Sequence, residues 1–264
     1  SANWFYNEGF YESFDKDYLQ SPGNTNKTRS SSASFDRQFS QTYNGTLNFN
    51  TDFLGKHHVD AMIGTEYYDF YQNGLSASGS GAPSDDFMDL QYTSADKDKR
   101  SIDTYHISQR ILSFFSRVTY DYDDKYLATF TVRRDGYSKL LNNRWGNFPG
   151  VSVGWNMHKE NFLSGSTVIN TMKLRASYGQ NGNVSDNLIG PYGPGKIYGT
   201  NNDLPPKYDG IVGYQATGLP FPNLLWERSA TYEFGLETRL FNRLDLTLAY
   251  YDRQTKDKIS SFSL

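Results

Sequence analysis

Cysteine is absent from the 264-residue chain. This absence excludes disulfides, Cys-based zinc sites and thiol nucleophiles. The sequence also lacks any run of eighteen or more apolar residues, so it predicts no transmembrane helix. The net charge of −3 and the pI near 5.8 provide no basic surface for nucleic acid. We therefore expect neither a disulfide-stabilised domain nor a nucleic-acid-binding protein.

Aliphatic residues are scarce, whereas aromatic rings are abundant. Hydrophobic residues make up 37% of the chain, below the share usual in globular domains, yet aromatics reach 16%, with 21 Tyr and 18 Phe. Soluble cores use mainly Leu, Ile and Val, so these rings need another location. Aromatic girdles at the two membrane interfaces of a β-barrel provide one. The mean hydropathy of −0.69 agrees, because only every second residue of a barrel strand faces lipid.

Alternation of apolar and polar residues is the main pattern, and it predicts β-strands. One long strand is predicted over residues 33–53, where the odd positions carry most of the rings. The same pattern recurs further along the chain, and we count about nine strands of the kind found in membrane barrels. One face of them should carry Leu112, Phe114, Val118, Phe130, Val132, Leu174, Leu246 and Leu248. The sequence therefore predicts an all-β, antiparallel up-and-down transmembrane β-barrel, present as a partial barrel with almost no helix.

Short and long connections alternate along the chain. The short ones cover residues 54–58, 123–125, 158–170 and 241–243, and residues 158–170 have room for one helical turn. The long ones, rich in Gly, Asn, Asp, Pro and Ser, cover residues 15–32, 73–105, 136–144 and 181–225. Outer-membrane barrels are connected in this way, with tight periplasmic turns and long extracellular loops.

Several sequence blocks then resemble a known family. The segment from Leu112 to Trp155 is similar to the barrel of SusC/RagA-type TonB-dependent outer-membrane transporters. Its matching positions are Arg133, Arg134, Asp135, Gly136, Asn143, Arg144, Trp145, Gly146, Phe148 and Pro149. Further blocks in the same order are KLRASYGQNGN at residues 173–183, PNLLWE at 222–227, which contains Trp226 and Glu227, and TKD at 255–257. The resemblance runs from Leu112 to the last residue, and the loops do not match.

The resemblance implies a plugged barrel of twenty-two strands, of which about nine would lie in this chain. No plug domain, TonB box or terminal strand is recognisable in residues 1–264, and residues 1–7 lack the basic and apolar regions of a signal peptide. We therefore expect the chain to be a segment from the middle of the barrel.

The resemblance also implies a function. It implies import of oligosaccharides or peptides across the outer membrane, with energy from the TonB complex through the plug and with a SusD-like lipoprotein as a lid. Such a protein is not an enzyme and uses no cofactor or metal. A passive porin or surface-adhesion barrel is an alternative, which a plug and TonB box would exclude. A soluble, secreted carbohydrate-binding β-protein is another, which requires the apolar faces to bury against a second sheet.

Ligand binding is predicted in the longest connection, residues 181–225, with residues 73–105 as a second contributor. Binding residues commonly lie on loops held by a rigid scaffold. Tyrosine joins an apolar ring to a polar tip, which suits stacking on sugar rings. The predicted ligand-binding residues are Tyr192, Tyr198, Asn201, Asn202, Asp203 and Tyr208. The same rings could instead pack within the loop or contact the lid.

Two other motifs have simpler explanations. Residues 150–154 match the G-x-S-x-G pattern of a hydrolase, but that motif needs a strained turn after a strand. Here the alternation continues to Trp155, so Ser152 is predicted to be a strand residue. Arg133, Arg134 and Asp135 could bind an anionic ligand. A charge network on the inner barrel wall explains them better, because charge facing the lumen is normal in such barrels.

Overall fold

The computed structural model describes residues 1–21, 23–26, 28–185 and 220–260, with 189–190, 192, 195, 198–199, 207–208, 211–212 and 215–216. Nine long strands form one sheet whose spatial order follows the chain order. They are β1 (Ala2–Asp15), β2 (Ser30–Phe53), β3 (His57–Ser80), β4 (Arg100–Tyr122), β5 (Tyr126–Tyr137), β6 (Trp145–Asn156), β7 (Ile169–Asn183), β8 (Glu227–Leu240) and β9 (Leu244–Lys256). The predicted all-β, up-and-down antiparallel architecture is confirmed, and β1 and β9 are its edge strands.

Helical structure is limited to three short 3₁₀ turns in the described part of the chain. They are Leu90–Tyr92, Lys97–Lys99 and Met157–Lys159. The last lies in the connection where the sequence left room for one helical turn. No helix among the described residues is long and apolar enough to cross a membrane.

The chain divides into two compact units. One comprises residues 2–43 and 68–109, and in it β1 pairs with β2 from Ala2 opposite Tyr43 to Asp15 opposite Ser30. The other comprises residues 1, 44–67 and 110–264, and it contains all of β5 to β9. Neighbouring strands from β4 to β9 pair in antiparallel register, with one irregularity between Arg239 and Leu240 where β8 pairs with β7.

Several strands extend further than the sequence predicts. β2 and β3 each contain 24 residues, and residues 73–80, predicted as loop, belong to β3. Residues 100–105, 136–137 and 181–183 are likewise strand. The Ser, Gly and Asn content of these segments indicated loops, but main-chain hydrogen bonds hold an antiparallel pair together without apolar side chains. The corrected connection between β3 and β4 covers residues 81–99.

Tight two-residue turns join three of the hairpins, as predicted. The pairs Leu54–Gly55, Asp123–Asp124 and Phe241–Asn242 all have positive φ, between 51° and 64°. Lys125 N–H donates to the Tyr122 carbonyl at 2.9 Å, and Arg243 N–H donates to the Leu240 carbonyl at 3.0 Å. Two consecutive positive φ values are the mark of a type I′ turn, whose twist matches that of the strands.

These turns contact neighbouring connections at the same end of the strands. Asp123 N–H donates to the Lys56 carbonyl at 2.7 Å, and Phe241 N–H donates to the Val168 carbonyl at 2.8 Å. The Lys159 ammonium lies 2.8 Å from Asp124 Oδ2. The remaining connections, including the longest, therefore lie at the opposite end of these strands.

Acid should loosen the connection between β6 and β7. The Tyr126 hydroxyl and the Trp155 indole donate to Glu160 Oε1 at 2.6 and 3.2 Å, and these bonds hold the pKa of Glu160 below its usual range. A depressed carboxyl pKa gives stabilisation that is present above the unfolded pKa, about 4.3, and is lost as pH falls through the folded value. We expect hydrogen-exchange protection in residues 157–168 to fall below about pH 4.

Glu160→Gln is the matched control for this pH dependence. The variant keeps an oxygen acceptor and the Lys159–Asp124 ion pair but removes the titrating carboxyl. Its protection, corrected for intrinsic exchange, should depend less on pH than that of the unaltered protein. Identical pH profiles in the two proteins would show that Glu160 does not hold this connection.

Candidate functional site

One face of the second unit is apolar. The register aligns Val118, Phe130 and Val151 across β4, β5 and β6. A second row joins Val153, Ala176 and Phe234 across β6, β7 and β8. These side chains are widely exposed, at 52% for Phe130 and 58% for Phe234. The register places the residues that were predicted to share one face on this apolar face. They are Leu112, Phe114, Val118, Phe130, Val132, Leu174, Leu246 and Leu248.

The opposite face is polar and rich in hydroxyl groups. A cavity of about 280 Å³ is lined by Thr129, Thr131, Ser152, Ser177 and Thr231. Ser152 pairs with Thr129 on one side and with Ser177 on the other. It is therefore an ordinary residue within a straight strand, and the strained turn of a hydrolase nucleophile is not formed there.

Arg133 is the centre of a charge network on this polar face. Its guanidinium lies 2.7 Å from Asp135 Oδ1 and 3.1 Å from Glu66 Oε1, and it donates to Ser113 Oγ at 2.9 Å. It also lies 5.6 Å from the centre of the Phe115 ring. These contacts engage Nε and one terminal nitrogen of Arg133. They form a charge network of the kind that the sequence favoured over an anionic ligand.

A second network on the same face escaped sequence analysis. Arg175 lies 2.7 Å from Glu233 Oε1 and 3.0 Å from Glu237 Oε1. Gly235 stands directly opposite Arg175, and a Cβ there would lie 2.6 Å from Arg175 Nε. A side chain at position 235 would therefore collide with Arg175 in its position beside the two carboxylates. The alternation could have indicated this network, because Arg175, Glu233 and Glu237 occupy polar positions of the alternating pattern in β7 and β8.

The motif residues of two distant blocks meet in a buried cluster. We define the loop cluster as Tyr137, Leu140, Phe148, Val184, Ile189 and Trp226. The Trp226 ring lies 5.5 Å from Phe148, edge to face, and 6.1 Å from Tyr137. Its indole N–H donates to the Arg144 carbonyl at 3.0 Å, and Tyr137 N–H donates to the same oxygen at 3.0 Å. Leu140 is fully buried.

Hydrogen bonds connect the segments that flank the loop cluster. Asn142 Nδ2 donates to Asn223 Oδ1 at 2.8 Å, and Asn143 Nδ2 donates to the Asn223 carbonyl at 3.1 Å. Buried Glu227 accepts from Asn183 Nδ2 at 2.8 Å and from Ile259 N–H at 2.5 Å. The connection between β5 and β6 is thereby fastened to the start of β8.

Two motif glycines accommodate the Phe148 ring. A side chain at Gly146 or Gly182 would overlap that ring. Neither glycine has a positive φ, so space and not backbone conformation requires glycine here. The sequence blocks around residues 146 and 182 therefore encode packing of the loop cluster.

Arg134 and Trp145 lie on the apolar face, apart from both networks. Arg134 is opposite Phe114 and Asn147, and Trp145 is opposite Gly136. The Arg134 guanidinium lies 5.0 Å from the centre of the Trp145 ring, which stacks 6.2 Å from Phe114. Pro149 pairs with Val132 on the same face. The predicted Arg–Arg–Asp set is therefore divided, with Arg133 and Asp135 on one face and Arg134 on the other.

The predicted ligand-binding residues are only partly described. Tyr192 is exposed, at 53%. Tyr198 pairs with Ala216, and Tyr208 pairs with Ile211, in two small two-stranded sheets. Asn201, Asn202 and Asp203 lie outside the described residues. The role of these six residues as a ligand site stays a prediction.

A polar cluster in the first unit was not predicted. Gln72 Nε2 donates to Asp36 Oδ2 at 3.0 Å and to the Tyr105 hydroxyl at 3.2 Å, and that hydroxyl donates to Asp36. Tyr105 covers Gly74, where a side chain would overlap the ring. The sequence predicts a loop over residues 73–105, whereas Gly74 and Tyr105 lie in strands β3 and β4. Their contact could not be predicted for that reason.

Comparison with known proteins agrees with this geometry. The family model described as "TonB dependent receptor-like, beta-barrel" matches residues 1–264. The TonB-dependent receptor P3 of Formosa agariphila is 36% identical over 219 residues, which cover 80% of this chain and 21% of that protein. The TonB-dependent receptor SusC of Bacteroides thetaiotaomicron is 33% identical over 220 residues, with the same two coverages, 80% and 21%.

A solved structure has the same fold. The RagAB peptide transporter matches with a TM-score of 0.83 and 25% identity, over 96% of this chain and 27% of that chain. The chain spans about a fifth of the length of the curated relatives that it matches. These relatives are receptors and transporters, and none of their names describes an enzyme. The chain belongs to the β-barrel family of TonB-dependent receptors, within its SusC/RagA type.

Proposed function

We propose that residues 1–264 form part of the barrel wall of an outer-membrane, TonB-dependent importer. In this proposal the apolar face contacts lipid, and the polar face lines the lumen, where a plug coupled to the TonB complex would sit. The connections at the end opposite the tight turns face the outside. There they meet the ligand and a SusD-like lipoprotein lid. The protein moves its ligand and makes or breaks no bond in it.

The observation on which the proposal depends is that one face of the sheet is apolar and the other is polar and charged. The register places a continuous apolar surface on one side of β4 to β9, and the Arg133 and Arg175 networks on the other. A water-filled or plugged lumen accommodates such charge, whereas the hydrocarbon of a bilayer does not. The tight turns gathered at one end support the same orientation.

The two alternatives are disfavoured on different grounds. A soluble carbohydrate-binding protein would cover its apolar face with a second sheet. Within the described residues, the other sheets are three small two-stranded ones. A passive porin shares the two-faced wall, so the family membership is what favours energised import.

The ligand is proposed to be an oligosaccharide or a peptide. RagAB is described as a peptide transporter, and SusC is named as a TonB-dependent receptor. Tyrosine, asparagine and aspartate in residues 181–225 provide ring faces, amides and carboxylates, which can recognise hydroxyl or peptide groups. We place ligand contacts on Tyr192, Tyr198, Asn201, Asn202, Asp203 and Tyr208.

Deletion of residues 198–208 in the full-length transporter should weaken ligand binding. The deletion removes five of the six proposed contacts, all except Tyr192, together with the strand partner of Ala216. It leaves the loop cluster and every strand of the main sheet intact. Ligand affinity by calorimetry and association with the lipoprotein by co-purification should be measured in parallel.

A point substitution provides the matched comparison. Tyr192→Ala removes an exposed ring at the long-connection end, and Phe162→Ala removes an exposed ring at the tight-turn end. Only the first should lower ligand affinity. Unchanged ligand binding after the deletion would remove this loop from the site, and selective loss of the lipoprotein would assign it to the lid interface.

A further inference from the structure

A groove on the apolar face has a cation at its rim. The groove has a volume of about 770 Å³, and Leu47, Ile63, Phe114 and Val132 contribute its apolar lining. Gly45, also in the lining, leaves open space, because an added Cβ would have no heavy atom within 4 Å. Arg134 and Asn147, which are opposite one another in the register, also line the groove, as do the hydroxyl-bearing residues Thr46, Thr65 and Ser116.

Arg134 has no carboxylate partner among the described residues. Its guanidinium stacks over the Trp145 ring. The neighbouring Arg133, by contrast, is held by Asp135 and Glu66 on the polar face. A guanidinium on an aromatic ring keeps its edge donors available for an oxygen ligand such as a phosphate.

The position of Arg134 along its strand suits a lipid headgroup. β5 starts at Tyr126, directly after a tight turn. At about 3.3 Å per residue and a tilt near 40°, Arg134 lies roughly 20–25 Å from that turn along the membrane normal. The apolar band of such barrels is about 25 Å tall and ends in an aromatic girdle. Trp145 and Arg134 therefore fall at the interface on the long-connection side.

We propose that this groove binds a phosphate-bearing glycolipid of the outer leaflet, with an acyl chain along Leu47, Ile63, Phe114 and Val132 and the phosphate on Arg134. The inference rests on the proposed function only for the orientation of the barrel in the outer membrane. The apolar lining matches an alkyl chain, and the unneutralised guanidinium selects an anionic headgroup over a neutral one. Asn147 supplies an amide donor beside the guanidinium.

Lipid retention by the purified full-length transporter tests the proposal. The probes are lipid A, its dephosphorylated form and inorganic phosphate, and bound lipid is measured by native mass spectrometry and titration. We expect Arg134→Gln to weaken lipid A binding about tenfold, because it removes a charge-assisted bond. Arg134→Lys should restore part of the loss. Gly45→Phe should lower binding by filling the groove while leaving Arg134 unchanged.

Arg117→Gln is the matched control. Arg117 pairs with Thr131 in the register, so it faces the polar side, away from the groove. Its variant should bind lipid A as the unaltered protein does, and all variants should first show the heat-dependent electrophoretic mobility of a folded barrel. Dephosphorylated lipid A should bind the unaltered protein as weakly as lipid A binds Arg134→Gln.

Three outcomes would overturn the proposal. They are full lipid A binding by Arg134→Gln, equal binding of the dephosphorylated lipid, and displacement of lipid A by millimolar inorganic phosphate, which would indicate a phosphate site without an acyl groove. Ligand uptake is measured separately in the same variants. Normal uptake with unaltered lipid binding by Arg134→Gln would refute this inference alone, whereas absent uptake in the unaltered transporter would refute the proposed function.

Discussion

Trp226→Ala is expected to destabilise the full-length barrel by about 3–5 kcal/mol, the usual cost of removing a buried large aromatic side chain. Trp226 is 9% exposed and contacts both Phe148 and Tyr137. Its loss leaves a cavity in the loop cluster and removes the indole donor to the Arg144 carbonyl. The measurement is denaturant unfolding of the purified protein, with hydrogen exchange in residues 138–144 as a local readout.

Trp4→Ala is the control for that substitution. Trp4 is 66% exposed and contacts Tyr43 through an edge-to-face ring pair and a hydrogen bond of 3.1 Å. Its removal should cost well under half as much, because little surface returns to water. If both substitutions shift the unfolding midpoint equally, or if protection of residues 138–144 survives in Trp226→Ala, the loop cluster does not fasten the connections.

Phe130→Arg is expected to impair the barrel by about 2–4 kcal/mol, whereas Thr129→Arg should be tolerated. Phe130 is flanked on the apolar face by Val118 and Val151. An arginine there would place a charge in hydrocarbon, several residues below the interface marked by Arg134. Thr129 is on the polar face between Thr119 and Ser152, where a charge meets hydroxyl groups and water.

The two substituted residues are adjacent in the same strand, and their side chains point to opposite faces of the sheet. Folded barrel should be quantified by heat-dependent electrophoretic mobility after assembly into bilayers of defined thickness. Equal yields of folded Phe130→Arg and Thr129→Arg would contradict the orientation of the sheet. If only Thr129→Arg lowers the yield of folded barrel, the orientation of the sheet is the reverse of the proposed one, and the hydroxyl-rich face contacts lipid.

Much of the wall could be predicted from sequence because its rules are local. The alternation that places Val118, Phe130 and Val151 on one face can be seen in the sequence of each strand by itself. A shift of one residue in the register would move every side chain of a strand to the other face of the sheet. The Asp123–Asp124 and Phe241–Asn242 turns likewise depend on adjacent residues. Strand pairing between chain neighbours then required no long-range information.

The parts that were missed depend on distant partners. Leu140 is fully buried, yet it lies in a polar connection without alternation, and its environment is supplied partly by Trp226. The extension of β3 through residues 73–80 is held by main-chain pairing, which a Ser- and Gly-rich composition conceals. Arg133 and Arg134 look equivalent in the motif. Because they are adjacent in a strand, their side chains point to opposite faces, so Arg133 joins the charge network on the polar face and Arg134 lies at the groove on the apolar face.

The position of the loop cluster has a consequence for chain entropy. The connection between β7 and β8 is on the order of ten times longer than the turn between β8 and β9, and closing it costs roughly 2 kcal/mol more by loop-closure statistics. The β8–β9 hairpin should therefore form first and dock onto β7 afterwards. Trp226, at the end of the long connection, offsets that cost when it packs on Phe148. Because closure entropy grows only logarithmically, the connection can lengthen greatly at small cost while β8 stays in register.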